Sequence, residues 1–327
     1  MSAEPTYVVC VIHQYHDIFG GLDNVKKQLV TEDGIAYKKH RMSRKDKKNS
    51  ILYMLLSILG VLVFFILPFF VVIYYSLVDN PISHEFVGLD NFVRIIQNSS
   101  FQQAAKNTAT FSLAAVPLAV ILSLVMVLIL EENIPMKSQF RTFFLSPMMV
   151  PVASIVLIWQ VLFDYNGAIN EFVKNLGGAP IDWFKSEYSQ IVIVILFLWK
   201  NLGYNMILFM SALNAIPRDV LEVATLESAS EFQKFWYIKL RYLSSTILFV
   251  GILSLINSFK VFREVYLLTG DYPYDSLYML QHFMNNTFRA LDYQKLSSAA
   301  IIMGIVMCIV IGFLFFAEDR YGKDVEG

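Results

Sequence analysis

The strongest constraint on this chain is an uncharged apolar run, ILYMLLSILGVLVFFILPFFVVIYYSL, which extends from Ile51 to Leu77. A helix of about 20 mostly apolar residues is long enough to cross the roughly 30 Å hydrocarbon core of a bilayer. The composition agrees with a membrane location, because 56% of the 327 residues are hydrophobic and only 16% are charged. The chain is therefore predicted to be an all-α, polytopic membrane protein.

Six segments are long and apolar enough to be spans, near residues 51–78, 108–130, 142–162, 190–213, 243–262 and 297–317. Their orientation follows from Lys and Arg, which are retained on the cytoplasmic side of a membrane. Placing the basic N-terminal tail inside collects most of the 26 basic residues on that side. The pattern predicts six crossings with both termini in the cytoplasm. Prolines at or within the spans predict kinks at Pro68, Pro117, Pro147 and Pro151.

The sequence lacks the residue patterns that are typical of several other classes of protein. Cys10 and Cys308 lie far apart without a CxxC pattern, and His13 and His16 have no ligand partner nearby, so no disulfide or metal site is predicted. The basic residues cluster near span ends, which argues against nucleic-acid binding. The chain has no G-x-x-x-x-G-K-[ST] motif for ATP phosphates and no hydrolase motif. The predicted spans hold no carboxylate, which disfavours a proton-relay transporter.

A polar, helix-patterned stretch, LEVATLESASEFQKFWYIKL at residues 221–240, separates two apolar runs on the predicted cytoplasmic side. Pro217 suits the start of a helix, and a capping box at Ser228–Glu231 or Ser230–Gln233 predicts a second helix. The first helix presents small side chains, and the second presents aromatic side chains and Lys239 on one face. The pattern favours a docking element of two short helices over an interfacial helix, which would carry a Lys/Arg-rich polar face.

This stretch resembles the coupling loop, or EAA loop, of ABC importer permeases in Glu222-Val223-Ala224, Glu227-Ser228-Ala229 and Ile238-Lys239-Leu240-Arg241. Ser228 stands where the family usually has glycine. Arg241 stands where it usually has proline, so the second helix is expected to continue toward the fifth span. Three further segments resemble the sugar-importer, maltose-type branch in order and spacing: GLDNFVRII at 88–96, FQQAAKNT at 101–108 and LTGDYPYDS at 268–276.

The resemblance implies the six-span, all-α fold of type I ABC importer permeases in the bacterial cytoplasmic membrane. Residues 1–50 are expected to form a cytoplasmic tail, residues 51–320 the permease domain with the coupling loop at 214–242, and residues 321–327 a C-terminal tail. The implied partners are a second, related permease subunit, two ATPase subunits and an extracytoplasmic solute-binding protein. The chain itself is expected to bind no cofactor, with ATP and Mg held by the ATPases. The residues expected to couple to the ATPases are Glu222, Ala224, Glu227, Ser228, Ala229, Phe232, Phe235 and Trp236.

Two lysines inside predicted spans, Lys200 and Lys260, indicate a candidate substrate pathway, because an ammonium at membrane depth costs at least ~2.5 kcal/mol on insertion scales. A sugar site needs hydrogen-bonding groups for hydroxyls together with flat apolar faces. Neighbours on the same two spans offer both, namely Asn201, Tyr204, Asn205, Asn257 and Phe259. In a second interpretation the amides bridge helices and the lysines reach toward the membrane surface.

These features together predict a transport subunit without enzymatic activity of its own. It would form the pathway for a sugar or oligosaccharide in an ATP-driven importer that works by alternating access. The alternatives are a secondary transporter or channel without an ATPase, a permease for a non-sugar small solute, and an intramembrane enzyme. The last would need a nucleophile and a base, and the sequence offers no such pair.

Overall fold

The computed structural model describes residues 54–131 and 137–321, apart from residues 56, 81 and 83. The predicted tail 1–50 lies outside the described residues. The predicted C-terminal tail 321–327 does too, except for Tyr321 at the end of the last helix.

The chain divides into two units, Met1–Phe64 and Phe65–Gly327. In the first unit, the described residues 57–61 are helical. A π-helical turn at Leu62–Ile66 follows them along the chain. The second unit contains the remaining helices.

The second unit is helical nearly throughout, and its described residues contain a single isolated β-bridge, between Val78 and Phe86. A π-helical turn at Phe235–Lys239 joins two of its short helices. In chain order the helices are α1 Leu67–Leu77, α2 Asp90–Gln97, α3 Ser99–Glu131, α4 Lys137–Met149, α5 Val152–Leu162, α6 Ala168–Asn175, α7 Ser189–Asn214, α8 Arg218–Leu226, α9 Glu231–Lys234, α10 Leu240–Tyr242, α11 Ser244–Lys260, α12 Phe262–Thr269, α13 Leu280–Arg289 and α14 Tyr293–Tyr321.

Five helical segments are long and apolar enough to cross a membrane, and a bent pair of helices would make a sixth if it is one span. This confirms the predicted all-α membrane fold class. The bent pair is Ser138–Met149 with Val152–Leu162, and the five are Ser57–Leu77, Ser99–Glu131, Ser189–Asn214, Ser244–Thr269 and Tyr293–Arg320.

The predicted span 142–162 is not a straight helix, because α4 and α5 meet at an angle of 105°. Pro151 precedes α5 with an extended backbone, φ −56° and ψ 140°. Proline has no N–H to continue the hydrogen bonding of α4, and its ring disfavours a helical conformation at Val150. The predicted kink is therefore a complete break between two helices.

The fifth span is longer than the predicted 243–262. Only Val261 separates α11 from α12, and its backbone stays in the helical region at φ −61° and ψ −17°. The candidate span consequently runs from Ser244 to Thr269 and includes Glu264. The expectation that the spans hold no carboxylate was wrong, because the helix continues past the charged residues that were read as its end.

The centre of the second unit is the packing of α3 on α7. Phe111 of α3 meets Phe197 of α7 edge to face, with ring centroids 5.6 Å apart at 81°. The small residues Ala115 and Ala119 are fully buried beside them, which lets the two backbones approach. Lipid tails are as apolar as this core, so close van der Waals packing holds these helices together.

A glycine allows α4 to cross α7. A Cβ atom on Gly203 would lie 2.1 Å from the Phe144 carbonyl oxygen, closer than any side chain can come to backbone. Only glycine therefore permits this crossing. The contact sets the position of α7, which carries one wall of the site described next.

Candidate functional site

A cavity of about 100 Å³ lies between α7 and the α11–α12 segment. Four of the predicted pathway residues line it, Lys200, Asn201, Asn257 and Lys260. The structure thus brings the two lysines of separate spans to one cavity. The full lining is Leu196, Phe197, Lys200, Asn201, Asn257, Lys260, Val261, Arg263 and Glu264.

An ion pair between Lys200 of α7 and Glu264 of α12 forms part of the cavity wall. The Glu264 side chain is 2% exposed and the Lys200 side chain 29% exposed. Lys200 Nζ donates to Glu264 Oε1, whereas Oε2 is buried without a hydrogen-bond partner among the described residues. Each charge stabilises the other, because a lone ion buried in the membrane costs several kcal/mol.

Sequence reasoning missed Glu264 because the predicted span ended two residues before it. The available signal was Lys200 itself. A cation in mid-span needs a counter-charge, which residues of neighbouring spans usually supply. Glu264 is the acidic residue that follows the fifth apolar run most closely.

Two amides both line the cavity and join its walls. Asn257 Nδ2 on α11 donates to Asn201 Oδ1 on α7 at 3.0 Å, and Asn201 Nδ2 donates to the Phe197 carbonyl oxygen at 2.8 Å. The buried Asn205 does not line the cavity, and its Nδ2 donates to Ser254 Oγ at 3.1 Å. The helix-bridging interpretation describes Asn205, whereas Asn201 and Asn257 bridge helices and also face the cavity.

Tyr204 and Phe259 do not line this cavity. The Tyr204 side chain is exposed on the surface of α7. Phe259 packs against the buried cluster that includes Phe101 and Phe283. Their predicted place on a substrate pathway stays a prediction, and the structure gives them no part in the cavity.

Two exposed cations complete the cavity lining, Lys260 at the end of α11 and Arg263 at the start of α12. Within the described part of the chain, neither side chain has an ion-pair or hydrogen-bond partner. Arg263 lies beyond the predicted limit of the fifth span, so the sequence did not mark it as a site residue. The structure places it inside the longer span.

A second candidate site is the loop 214–242, whose sharp turn is centred on Ser228. The N–H of Ala229 donates to the Ala224 carbonyl oxygen at 2.9 Å, and the N–H of Ser228 donates to the Thr225 carbonyl oxygen at 3.0 Å. These two bonds form a Schellman motif that closes α8, with Ser228 in the left-handed conformation at φ 59°. Serine therefore keeps the tight turn that glycine would make, at a cost of roughly 1–2 kcal/mol in backbone strain.

The second helix of this loop begins with the capping box Ser230–Gln233. The Gln233 N–H donates to Ser230 Oγ at 3.3 Å, and the Ser230 N–H donates to Gln233 Oε1 at 2.8 Å. Glu231 accepts instead from Lys234 Nζ at 2.7 Å, and this hydrogen bond lowers the pKa of the Glu231 carboxyl. The chain then stays helical through Phe235–Lys239 and α10, as expected without a proline at the position of Arg241.

The loop exposes apolar side chains that no described part of the chain covers. Leu226 is 84% exposed and Phe232 is 72% exposed, and the Phe232 ring meets that of Trp236 edge to face at 6.0 Å. Exposed apolar clusters of this kind are typical of interaction surfaces. Beside them is a hollow of about 310 Å³, lined by Glu227, Ser228, Ala229, Gln233, Lys234, Tyr237 and Ile238.

The predicted coupling residues divide by exposure. Glu222 and Glu227 are exposed with Phe232 and Trp236, and Ala224 and Phe235 are half-buried behind them. Lys239, which was predicted to share a helix face with the aromatic side chains, donates from its Nζ to Glu131 Oε2 at 2.7 Å. That ion pair fastens the loop to the end of α3.

The fold and the exposed loop define a multi-span membrane component with a docking surface. Residues 132–321 match the family described as "Binding-protein-dependent transport system inner membrane component", and the chain belongs to this family. It is 29% identical over 290 residues to the trehalose/maltose transport system permease protein MalF of Thermococcus litoralis, with 87% of this chain and 98% of that protein covered.

A second relative is the lactose transport system permease protein LacF of Rhizobium radiobacter. It is 27% identical over 246 residues, with 73% of this chain and 83% of LacF covered. The fold is also similar to a chain of a bacterial alginate ABC transporter, solved in complex with an alginate pentasaccharide-bound periplasmic protein. That match has a TM-score of 0.75 at 18% identity and covers 87% of this chain and 99% of the other.

Family membership confirms the resemblance first seen in the coupling-loop motif and identifies a multi-pass protein of the plasma membrane. The chain is the membrane component of a transport system that depends on a solute-binding protein. Its role is transport, distinct from that of the ATPase component.

Proposed function

We propose that this chain is one transmembrane subunit of an ATP-driven importer and forms the translocation pathway for a sugar or oligosaccharide. One observation carries the proposal. The stretch 231–269 is helical almost without interruption, with an exposed docking surface at one end and a charged cavity at the other. A continuous helical connection of this kind is needed if movement of a docked partner at the surface is to change the shape of a cavity within the membrane.

Carbohydrate is the favoured substrate class for two reasons. Relatives that match over most of this chain are named for the transport of trehalose, maltose and lactose. The cavity also carries amides and charged groups, which can donate hydrogen bonds to sugar hydroxyls and accept them. A permease for a non-sugar small solute is the alternative, and a substrate screen separates the two.

The proposed partners follow from the two sites. Two ATPase subunits would dock on this loop and on the equivalent loop of a second, related permease subunit, and these ATPases would bind ATP and Mg²⁺. The solute-binding protein would deliver substrate at the opposite side of the membrane. This arrangement requires the loop 214–242 and both termini to be cytoplasmic, as the distribution of Lys and Arg predicts.

In the proposed mechanism, closing ATPases press on α8 and α9. The Lys239–Glu131 ion pair would pass the displacement to α3, and the helical chain through α10 would pass it to α11. Both helices pack on α7. The cavity between α7 and the α11–α12 segment would then change shape, exposing substrate groups alternately to the two sides.

The test uses the complete complex in proteoliposomes, with ATP inside and the binding protein supplied with labelled sugar outside. Glu222→Ala and Ala224→Trp should abolish uptake while membrane insertion and subunit yield stay normal. Glu171→Ala is the matched control, because it removes an exposed carboxylate from α6, away from the loop. Normal uptake by both loop variants would disprove the coupling role.

Glu264 favours one rival, a proton-coupled transporter, because such transporters use carboxylates within their spans. The same proteoliposomes distinguish the two mechanisms. ATP-driven import continues when an ionophore collapses the proton gradient, and it stops when ATP is omitted. The opposite pattern would replace the proposed function with the rival.

A further inference from the structure

The cavity between α7 and the α11–α12 segment has an uneven balance of charge. Three cations line it, Lys200, Lys260 and Arg263, against the single carboxylate of Glu264. Lys200 is already paired with that carboxylate. The ammonium of Lys260 and the guanidinium of Arg263 therefore give the cavity an excess of two positive charges.

Lys260 and Arg263, which give the cavity its excess positive charge, both lie within a membrane span. Both belong to the candidate span Ser244–Thr269 and both side chains are exposed. Charged side chains inside spans face a protein interior or a water-filled cavity, because contact with lipid tails is costly. Lys260 and Arg263 both line the cavity, which is where charges within a span are expected to lie.

Glu264 adds a second feature. Its Oε2 atom is buried and has no hydrogen-bond partner in the described part of the chain. Buried carboxylate oxygens nearly always accept at least one hydrogen bond, so a donor from outside the described part of the chain is expected at this atom. A hydroxyl group supplies such a donor, and an anionic group cannot. The cavity therefore combines a carboxylate oxygen of Glu264, which can accept a hydrogen bond from a hydroxyl group, with two cations that can bind an acidic group.

The size of the cavity limits what enters it. A volume of about 100 Å³ is well below the roughly 300–1,000 Å³ of sites that enclose a whole small ligand. One charged group and an adjoining hydroxyl fit this space, and the rest of a sugar does not. The cavity therefore holds part of a substrate whose bulk lies outside it.

We propose that the transported carbohydrate is anionic, and that Lys260 and Arg263 receive its carboxylate, phosphate or sulfonate group. Glu264, positioned by Lys200, accepts a hydrogen bond from a neighbouring sugar hydroxyl. This inference rests on the proposed function and adds the charge of the substrate to it. Arg263 offers a planar fork that suits the oxygens of each of these acids, and Lys260 adds a second positive charge.

The first experiment compares matched substrates on the complete complex with its binding protein. The probes are neutral disaccharides, the same disaccharides oxidised to a uronate at C6, and their 6-phosphates. Stimulation of ATPase activity and uptake by the uronates or the phosphates is expected, and the stronger of the two identifies the acid. Stimulation by neutral sugars alone would overturn the inference and leave the proposed function intact. Stimulation by none of a broad set of carbohydrates would instead contradict the proposed function.

The second experiment assigns the effect to the two cations. The variants Lys260→Gln and Arg263→Gln should fold normally, because both side chains are exposed. Each variant should raise the KM for uptake of the anionic sugar roughly tenfold, as expected for the loss of one charge-assisted hydrogen bond. Lys185→Gln is the matched control, since it removes an exposed cation outside the cavity. An unchanged KM in both variants would overturn the assignment. The assignment would also be overturned if the variants failed to assemble on size exclusion while the assembled fraction kept an unchanged KM. That result would place the two cations at the subunit interface.

Discussion

Removing one member of the Lys200–Glu264 pair should destabilise the protein by an amount that depends on which member is removed. Loss of one partner from a buried ion pair costs about 3–5 kcal/mol. Lys200→Met leaves a carboxylate that is 2% exposed and has no partner for either oxygen, so we expect the upper end of this range. Glu264→Gln leaves an ammonium that is 29% exposed and retains an amide oxygen to bind, so its cost should be smaller.

Thermal unfolding of the purified complex, followed by tryptophan fluorescence, measures the difference. Lys200→Met should lower Tm on the order of 10 °C, and the double variant Lys200→Met/Glu264→Gln should recover about 1–3 kcal/mol of the loss. Lys106→Met, which removes an exposed lysine from α3, should leave Tm unchanged. Strictly additive costs in the double variant, or a larger cost for Glu264→Gln than for Lys200→Met, would refute the reasoning.

Three further predictions address other parts of the molecule. Gly203→Ala drives a Cβ into the Phe144 carbonyl oxygen and should destabilise by about 1–3 kcal/mol, and an unchanged Tm would contradict the close crossing. Ser228→Gly should relieve about 1 kcal/mol of strain and keep ATP-driven uptake, whereas Ser228→Val should lose uptake, and wild-type uptake by the valine variant would oppose this. Burial lowers the pKa of His282 from 6.5 to about 4. As the pH falls through that interval the unfolded state alone takes up the proton, so stability should fall by up to roughly 1.4 kcal/mol per pH unit, and His282→Gln should flatten this slope. Equal slopes for the variant and the wild type would contradict the assignment.

The fold class could be predicted because hydropathy is a local property. Each long apolar run must be helical to satisfy its backbone groups within a bilayer. The limits of the fifth span were not predictable in the same way, because Arg263 and Glu264, just after the predicted limit at residue 262, read locally as the end of the span. The helix continues because Lys200, 64 positions earlier, pairs with Glu264. Contacts at that separation leave no periodic signal in a single sequence.

The coupling loop shows the same division between local and distant signals. The capping box at Ser230–Gln233 and the turn at Ser228 depend on residues a few positions apart, so the sequence predicted two helices with a sharp turn. The π-helical turn at Phe235–Lys239 and the bond from Lys239 to Glu131 depend on how the loop packs against α3. The sequence therefore predicted two helices joined by a sharp turn but not how the loop is attached to the rest of the chain.

That attachment explains how the loop can act on the cavity. Lys239 fastens the loop to the end of α3, and the fully buried Leu243 anchors its junction with α11 in the core. Farther along, Ser112 of α3 is hydrogen-bonded to Ser258 of α11 at 2.9 Å. In the proposed function, a push on the loop would therefore act on α3 and α11 together, because hydrogen bonds join these elements at both levels.

One member of that joined pair, α11, forms a wall of the cavity, and α7 forms the opposite wall. Asn201 and Lys200 belong to α7, whereas their partners Asn257 and Glu264 belong to the α11–α12 segment. In the proposed function, movement of the α11–α12 segment relative to α7 would act on these two contacts, because both are polar bonds between the walls of the cavity. Opening the Asn257–Asn201 bond would release the hydrogen-bonding groups of both amides to substrate, while the ion pair with Lys200 would keep Glu264 in position.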